Sequence, residues 1–175
     1  MDERLVRIPT GPVILEGNLS IPDGARAVIL FAHGSGSSRH SPRNRFVARA
    51  LNDAGLATLL TDLLTADEEE VDEVTRHLRF DIPLLAQRLV AITDWLAVQP
   101  EAQGMRIGYF GASTGAAAAL VAAAERPEVV GAIVSRGGRV LEIPFRYEPR
   151  IEGFSKASAL RLAPAYVRML LRLRA

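Results

Sequence analysis

The chain has no cysteine among its 175 residues. Disulfide bonds, thiolate metal ligands and a cysteine nucleophile are therefore excluded. Histidine is also scarce, with three residues, and aromatic residues make up only 6% of the chain. Lys156 is the single lysine, so arginine supplies nearly all of the positive charge. The net charge of +1 gives no overall field that would attract nucleic acid or an anionic membrane, and we expect neither as a partner.

Long apolar runs are absent as well. No stretch reaches the length of a membrane span, and the first residues, MDERLVRIP, carry acidic side chains and lack the apolar core of a signal peptide. We therefore expect a cytoplasmic protein without a membrane span. Hydrophobic residues make up 49% of the chain and charged residues 23%, which is typical of one globular domain with a sizeable core.

Apolar strand-like runs alternate with helical stripes along most of the chain. Two loosely alternating segments, 4–8 and 13–20, flank a Gly-Pro turn and predict an antiparallel hairpin at one sheet edge. Buried strands are then predicted at 27–31, 57–61, 105–110 and 129–135, with helices at 44–54, 81–98 and 114–125. This alternation favours an α/β fold, a mostly parallel sheet with helices on both faces.

One strand-to-helix junction carries the pattern G-x-S-x-G, at Gly111-Ala112-Ser113-Thr114-Gly115. A serine held in so tight a turn has strained backbone angles, and its neighbours must therefore be small. The helix that follows points free amides and the positive end of its dipole at charge developing on Ser113 Oγ. Taken alone the pattern is weak, because small-residue turns before helices are common and fit a structural serine equally well.

A second junction points to the same chemistry. The strand at 27–31 runs into Ala32-His33-Gly34-Ser35-Gly36, where the glycines let backbone amides approach a carbonyl group. Both junctions follow the C-terminal ends of apolar strands, where open α/β sheets place their sites. Together the two turns resemble those of the α/β-hydrolase family, and within it the dienelactone-hydrolase-like branch. The resemblance runs from about Val13 to Gly138.

The resemblance implies a serine hydrolase that acts on a small ester or lactone, with no metal or organic cofactor. Ser113 would be the nucleophile of a nucleophile elbow, as in a serine esterase. The backbone amides of Ser35, Gly36 and Thr114 would form the oxyanion hole.

Arginines cluster beside these amides. Arg39 and Arg43 lie at or just before a predicted helix start, where positive charge opposes the helix dipole. That placement suggests that they hold a substrate carboxylate. Solvated arginines on a surface loop are an equally good interpretation.

The chain departs from the family pattern after the serine. In the family an acid and then a histidine follow the nucleophile. Here all three histidines precede Ser113, and no aspartate follows Asp94. A serine needs a base within hydrogen-bond reach, and the candidates are His33, at the end of the neighbouring strand, and His40, on the adjoining loop. We interpret His77 as a surface or packing residue.

Composition changes at the point where the resemblance ends. Residues 1–138 hold 13 basic and 17 acidic residues, whereas residues 139–175 hold 8 basic and 3 acidic ones. We therefore divide the chain into an α/β-hydrolase core, 1–138, and a divergent basic tail, 139–175, which takes the place of the last strands and is expected to pack on the core. Its end, 164–174, is interpreted as a helix lying over the sheet rather than on a membrane.

The strand at 129–135 would then be a sheet edge. An uncovered apolar edge strand invites pairing with another chain. Either the basic tail or a second copy of the chain, in a homodimer, would cover it.

Two other functions stay open. The missing triad partners are consistent with a hydrolase fold that no longer catalyses and serves as a binding module. The glycine-bearing turns also suggest a nucleotide-binding domain, although no G-x-x-x-x-G-K-[ST] motif occurs and Arg39 stands where G-x-G-x-x-G needs its third glycine. The acidic run 67–70 is interpreted as a solvated face or a cap over the site, because consecutive acids on a helix point in different directions and cannot converge on one metal ion.

Overall fold

The computed structural model describes residues 3–137. The basic tail and its predicted helix at 164–174 lie outside the described residues. Six strands form one sheet, β1 (Glu3–Thr10), β2 (Val13–Ser20), β3 (Ala27–Ala32), β4 (Ala57–Thr61), β5 (Arg106–Ala112) and β6 (Val130–Arg136). The helices are α1 (Pro42–Asp53), α2 (Ala66–Thr75), α3 (Ile82–Ala97) and α4 (Thr114–Glu125), with 3-10 turns at Leu78–Phe80 and Pro100–Ala102.

The strand order is β1-β2-β4-β3-β5-β6. Strands β4, β3, β5 and β6 pair in parallel, whereas β1 pairs antiparallel with β2, and β2 with β4. The predicted α/β fold with a mostly parallel sheet is confirmed, and so is the hairpin at one edge. Helix α1 begins at Pro42, two residues before the predicted start. Proline is favoured at the first helical position because its fixed φ suits the helix and its missing N–H has no partner there.

Two apolar cores lie on opposite faces of the sheet. Val28 and Leu30 of β3 belong to the core under α3 and α4, and Ile29 and Phe31 belong to the core under α1. Period-two alternation explains this division, because successive side chains of a strand point to opposite faces. Helix α4 packs closely because its inner face is made of fully buried alanines, Ala116, Ala118, Ala119 and Ala122. Strands β3 and β5 are neighbours in the sheet, and Ala32 is in register with Gly111.

Candidate active site

Ser113 is exposed at the turn between β5 and α4. Its φ of 51° and ψ of −121° make it one of two non-glycine residues with positive φ in the described part of the chain. Such a conformation costs about 1–3 kcal/mol and persists only where the surroundings fix it. Three backbone bonds do so. The Ser113 amide donates to the Arg136 carbonyl oxygen at 3.1 Å, and the Ser113 carbonyl accepts from the amides of Ala116 and Ala117 at 3.0 and 3.3 Å.

The two glycine-bearing turns touch through their backbones. A Cβ added to Gly115 would lie 2.2 Å from the Ala32 carbonyl oxygen and 2.4 Å from that of His33. A Cβ added to Gly34 would lie 2.8 Å from Ser113 Cβ. Real Cβ atoms do not approach so closely, and glycine is therefore required at both positions. The turn after β3 consequently lies directly against the serine turn, as the sequence predicted.

The three candidate oxyanion donors lie at this junction. Ser35 donates its amide to Thr114 Oγ1 at 3.3 Å, and Ser35 and Gly36 are exposed. Gly36 has a φ of 70°, which favours glycine. Thr114 is the first residue of α4, so its amide has no partner within the helix. The structure therefore brings all three residues to one side of the Ser113 turn.

Both ring nitrogens of His33 lie close to groups other than the Ser113 hydroxyl. Nδ1 lies 3.1 Å from the Gly34 carbonyl oxygen, and Nε2 lies 3.2 Å from Asp62 Oδ1. The second contact has the distance of an ion pair without the directionality of a hydrogen bond. His40 is exposed on the loop before α1, and its backbone amide donates to Ser38 Oγ at 3.2 Å. Among residues 3–137, no hydrogen bond joins either imidazole to Ser113 Oγ.

The two candidate arginines have different surroundings. The Arg39 guanidinium pairs with the Asp62 carboxylate and, through Nη2, with Glu16 Oε2 at 2.5 Å. Arg43 is exposed and makes no ion pair within the described residues. Arg39 is thus occupied by carboxylates of the protein itself, and Arg43 is the arginine that has its guanidinium available for an anionic ligand.

A cleft of about 610 Å³ opens beside the serine turn. The cleft is lined by the loop after β3, by Thr114 and by Arg43. Apolar surface comes from three leucines, Leu63, Leu64 and Leu85. Helix α2 contributes acidic side chains, including Glu69 and Glu73. Burial, together with the Asp62 carboxylate, raises the pKa of Glu69 above its ordinary value. The acidic segment therefore forms part of the cleft wall.

Helix α2 is fixed at its start by a capping box. The Thr65 side chain accepts from the Glu68 amide at 3.2 Å, and Glu68 Oε2 accepts from the Thr65 amide at 2.8 Å. Arg88 of α3 pairs with Glu68 and donates to the Leu63 carbonyl oxygen at 2.7 Å. These bonds hold α2 against α3 at the cleft.

The sequence analysis missed Asp62. It directly follows β4 and pairs with His33, which directly follows β3. The signal was available: an acid at the end of one buried strand and a histidine at the end of the next, with Ala32 and Thr61 in register. Opposing effects act on this carboxyl: burial raises its pKa, and the contacts with His33 and Arg39 lower it, leaving it below its ordinary value.

Comparison with known proteins gives relatives of this chain, although no family model matches it. Proteins from two strains of Mycobacterium tuberculosis are 57% identical over 134 residues, which are 77% of this chain and 29% of each relative. They carry the provisional name phosphoribosyl transferase. This chain spans less than a third of their length. Their name therefore refers to proteins of which the larger part lies outside the match.

Solved structures match the chain as well. A dienelactone hydrolase from Anabaena variabilis is 67% identical, with a TM-score of 0.77, and the match covers 79% of this chain and 64% of that one. A dienelactone hydrolase-like promiscuous phosphotriesterase from metagenomic libraries is 22% identical, with a TM-score of 0.66, over 82% of this chain and 62% of that one. The second likeness is one of fold.

A sheet of this order, with a serine turn after β5 resting on a glycine turn after β3, is that of an α/β-hydrolase. Within that class the chain is similar to the dienelactone-hydrolase-like branch, as its sequence identity to the Anabaena structure indicates. This fold accounts for both glycine-bearing turns, so the nucleotide-binding interpretation loses the feature that suggested it. Within residues 3–137, no helix is long and apolar enough to cross a membrane.

Proposed function

We propose that this chain is a serine hydrolase of a small ester or lactone, with Ser113 as the nucleophile. The observation that carries the proposal is the positive φ of Ser113 at an exposed strand-to-helix turn. Backbone strain at an exposed polar residue is typical of functional sites, where geometry matters more than local stability. The apolar side chains and the free Arg43 of the cleft suit a small, partly apolar substrate with a carboxylate.

In the proposed reaction Ser113 Oγ bonds to the carbonyl carbon of the substrate and its proton passes to a base. The carbonyl oxygen becomes an oxyanion, which the amides of Ser35, Gly36 and Thr114 stabilise. The bond to the leaving alcohol oxygen then breaks, and that oxygen takes up a proton. Water attacks the acyl-serine, releases the acid and restores the Ser113 hydroxyl. In a lactone the alcohol and the acid remain in one product.

The base is assigned to one of two histidines. His33 would first have to turn away from Asp62 or from the Gly34 carbonyl, whereas His40 is exposed and would reach the site by movement of its loop. Substituting each by glutamine separates them, because loss of the base lowers the rate by several orders of magnitude. Labelling of Ser113 that survives both substitutions would mean that neither histidine is the base.

A catalytically inactive binding module is the second candidate. The observation in its favour is the position of His33, whose ring nitrogens face other groups, together with the absence of histidine and aspartate from residues 114–137. In this case the cleft would bind a small molecule without bond cleavage.

A fluorophosphonate probe, which reacts with activated serines, distinguishes the two candidates. A serine hydrolase is expected to be labelled, and Ser113→Ala is expected to abolish the labelling. Ser135→Ala, which changes an exposed serine of β6, serves as the matched control and should leave labelling intact. A folded sample with no labelling would overturn the hydrolase proposal and support the binding module.

A further inference from the structure

A single carboxylate connects the two ends of the loop that carries the candidate oxyanion donors. Asp62 Oδ1 lies 3.2 Å from His33 Nε2 and accepts a hydrogen bond from the Arg39 backbone amide at 2.7 Å. Asp62 Oδ2 pairs with the Arg39 guanidinium. His33 and Arg39 are the first and last residues of this segment, residues 33–39, which we name the amide loop because it presents the amides of Ser35 and Gly36.

Asp62 is itself rigidly placed. Its side chain is 10% exposed, and its backbone amide donates to the Glu16 carbonyl oxygen at 3.3 Å. Thr61 Oγ1 donates to the same carbonyl at 3.0 Å. Glu16 also accepts from Arg39 through its side chain. Asp62 is therefore held by β4 and β2, which belong to the sheet and not to the amide loop.

Other hydrogen bonds also act on the amide loop. The buried Asn44 side chain donates through Nδ2 to Ser37 Oγ at 3.4 Å and to the Ser38 carbonyl oxygen at 3.3 Å. Inside the loop, the Ser37 amide donates to the Gly34 carbonyl oxygen at 3.2 Å, and Ser35 is bonded to Thr114 at 3.3 Å. Ser35 and Gly36 are exposed, and nothing lies within 4 Å of a Cβ built on Gly36. Packing thus contributes little at the tip, so the position of the amides depends on the hydrogen bonds that hold the loop, and those to Asp62 are the ones made to a charged acceptor.

We propose that Asp62 is a positioning residue that holds the amide loop against the Ser113 turn. This inference rests on the proposed function in so far as the loop amides stabilise an oxyanion. Hydrogen bonds to a charged acceptor are about twice as strong as neutral ones, so one carboxylate suffices to close the loop. Misplacement of a catalytic group by about 1 Å costs about a hundredfold in rate.

The variant that tests the proposal is Asp62→Asn. Asparagine keeps the size of the side chain, and its carbonyl oxygen can still accept from the Arg39 amide. Its NH₂ group, however, faces a second donor, and the charge that balances the Arg39 guanidinium is lost. Asp94→Asn is the matched control. Asp94 lies on the exposed surface of α3 and pairs with Arg126, so this variant also removes a paired carboxylate.

Two measurements are made on the full chain. Backbone hydrogen exchange in residues 33–41 is expected to be at least tenfold faster in Asp62→Asn than in the wild type. The rate of fluorophosphonate labelling, compared at equal folded fraction, is expected to fall at least tenfold. For a turned-over ester, the loss should appear in kcat with KM little changed, because the oxyanion forms only after substrate binding. Asp94→Asn should change neither measurement.

The outcomes separate this inference from the proposed function. If residues 33–41 of a folded Asp62→Asn sample exchange their amide hydrogens at the wild-type rate, the inference about Asp62 is overturned, whatever the labelling shows. Faster exchange with unchanged labelling would also overturn it, because the loop would then be loosened without consequence for the serine. If the wild-type chain itself is not labelled, the proposed function fails, and faster exchange in Asp62→Asn would show that Asp62 still holds the loop in a binding module.

Discussion

Ser113 combines exposure with backbone angles that side chains rarely adopt. Selection for stability alone would place glycine there, since glycine reaches positive φ without steric cost. Serine in this conformation therefore lowers the stability of the folded chain, and a need for its hydroxyl group would explain why serine stands there. Its effect on folding can be measured apart from any reaction.

We expect Ser113→Gly to be more stable than Ser113→Ala by about 1 kcal/mol, because alanine retains the strained conformation and glycine relieves it. The free energies of unfolding of both variants in urea give the difference. Both variants lack the hydroxyl, so their comparison isolates the backbone. Equal stabilities would mean that the Ser113 turn relaxes at no cost.

Gly115 tests the backbone contact between the two turns. Its φ is not positive, so Gly115→Ala is a purely steric change that drives Cβ into the Ala32 and His33 carbonyls. We expect a loss of about 3 kcal/mol in the free energy of unfolding, at the upper end for overpacking. Gly104→Ala is the control, since its φ is 79° but nothing lies within 4 Å, and its cost should stay near 1 kcal/mol.

Local patterns identified the serine turn and the glycine turn, because each depends on residues that are close in sequence. Their meeting was predicted from a rule of the fold, since open α/β sheets place their sites at the C-terminal ends of the strands. Asp62 was missed because its role arises from pairing between β3 and β4, which brings residues 33 and 62 together. The same limit applies to Arg39. Its guanidinium was interpreted either as a contact for a substrate carboxylate or as a solvated surface group, and only the fold shows that Asp62 and Glu16 pair with it.

At the scale of elements, the periodic segments were predicted with their bounds, whereas the acidic run 67–70 was predicted only as a solvated face or a cap over the site, without bounds for a helix. The strand at 57–61 and the helix at 114–125 have the predicted bounds, because apolar periodicity and small residues define them. Helix α2 leaves both of its valines, Val71 and Val74, exposed, and its stability comes from the capping box and from Arg88. Tertiary contacts of this kind leave little trace in a local pattern.

Arg88→Met should release α2 from α3. The Arg88 side chain is 7% exposed, and methionine fills much of its volume without replacing its bonds to Glu68 and Leu63. We expect hydrogen exchange in residues 66–75 to become faster, with a loss of about 2 kcal/mol in the free energy of unfolding. Arg49→Met, at an exposed position of α1, is the control and should leave exchange in α2 unchanged.

For the whole molecule, the carboxylates with lowered pKa values determine the response to acid. A group whose pKa is lower when folded stabilises the protein above its unfolded pKa, and that contribution is lost as the pH falls. The pKa of Asp62 lies below its ordinary value of 3.8, so its contribution should be complete above about pH 4 and should be lost as the pH falls further, through the lower pKa of the folded state. Unfolding by urea at pH 7 and pH 3 should therefore differ less in Asp62→Asn than in the wild type. An identical pH dependence would show that Asp62 gains nothing from its partners.

The edge of the sheet concerns the molecule as a whole. Strand β6 ends the described sheet, and Gly131 and Ser135 are exposed along it. If no second copy of the chain pairs with this edge, we expect the full chain to sediment as a monomer at every concentration tested. A dimer that Ser135→Lys dissociates would instead show that a second copy pairs there, since charge on an edge strand opposes pairing.

The bond from the Ser35 amide to Thr114 Oγ1 has an energetic consequence for any incoming molecule. Without a ligand, the Ser35 amide already donates to a neutral hydroxyl. A ligand that replaces this hydroxyl therefore gains only the difference in free energy between the new hydrogen bond and the old one. For an uncharged ester oxygen that difference is small, and for an anion it is large. The junction would therefore discriminate in favour of negatively charged oxygen, which is the selectivity that separates an activated state from its ground state.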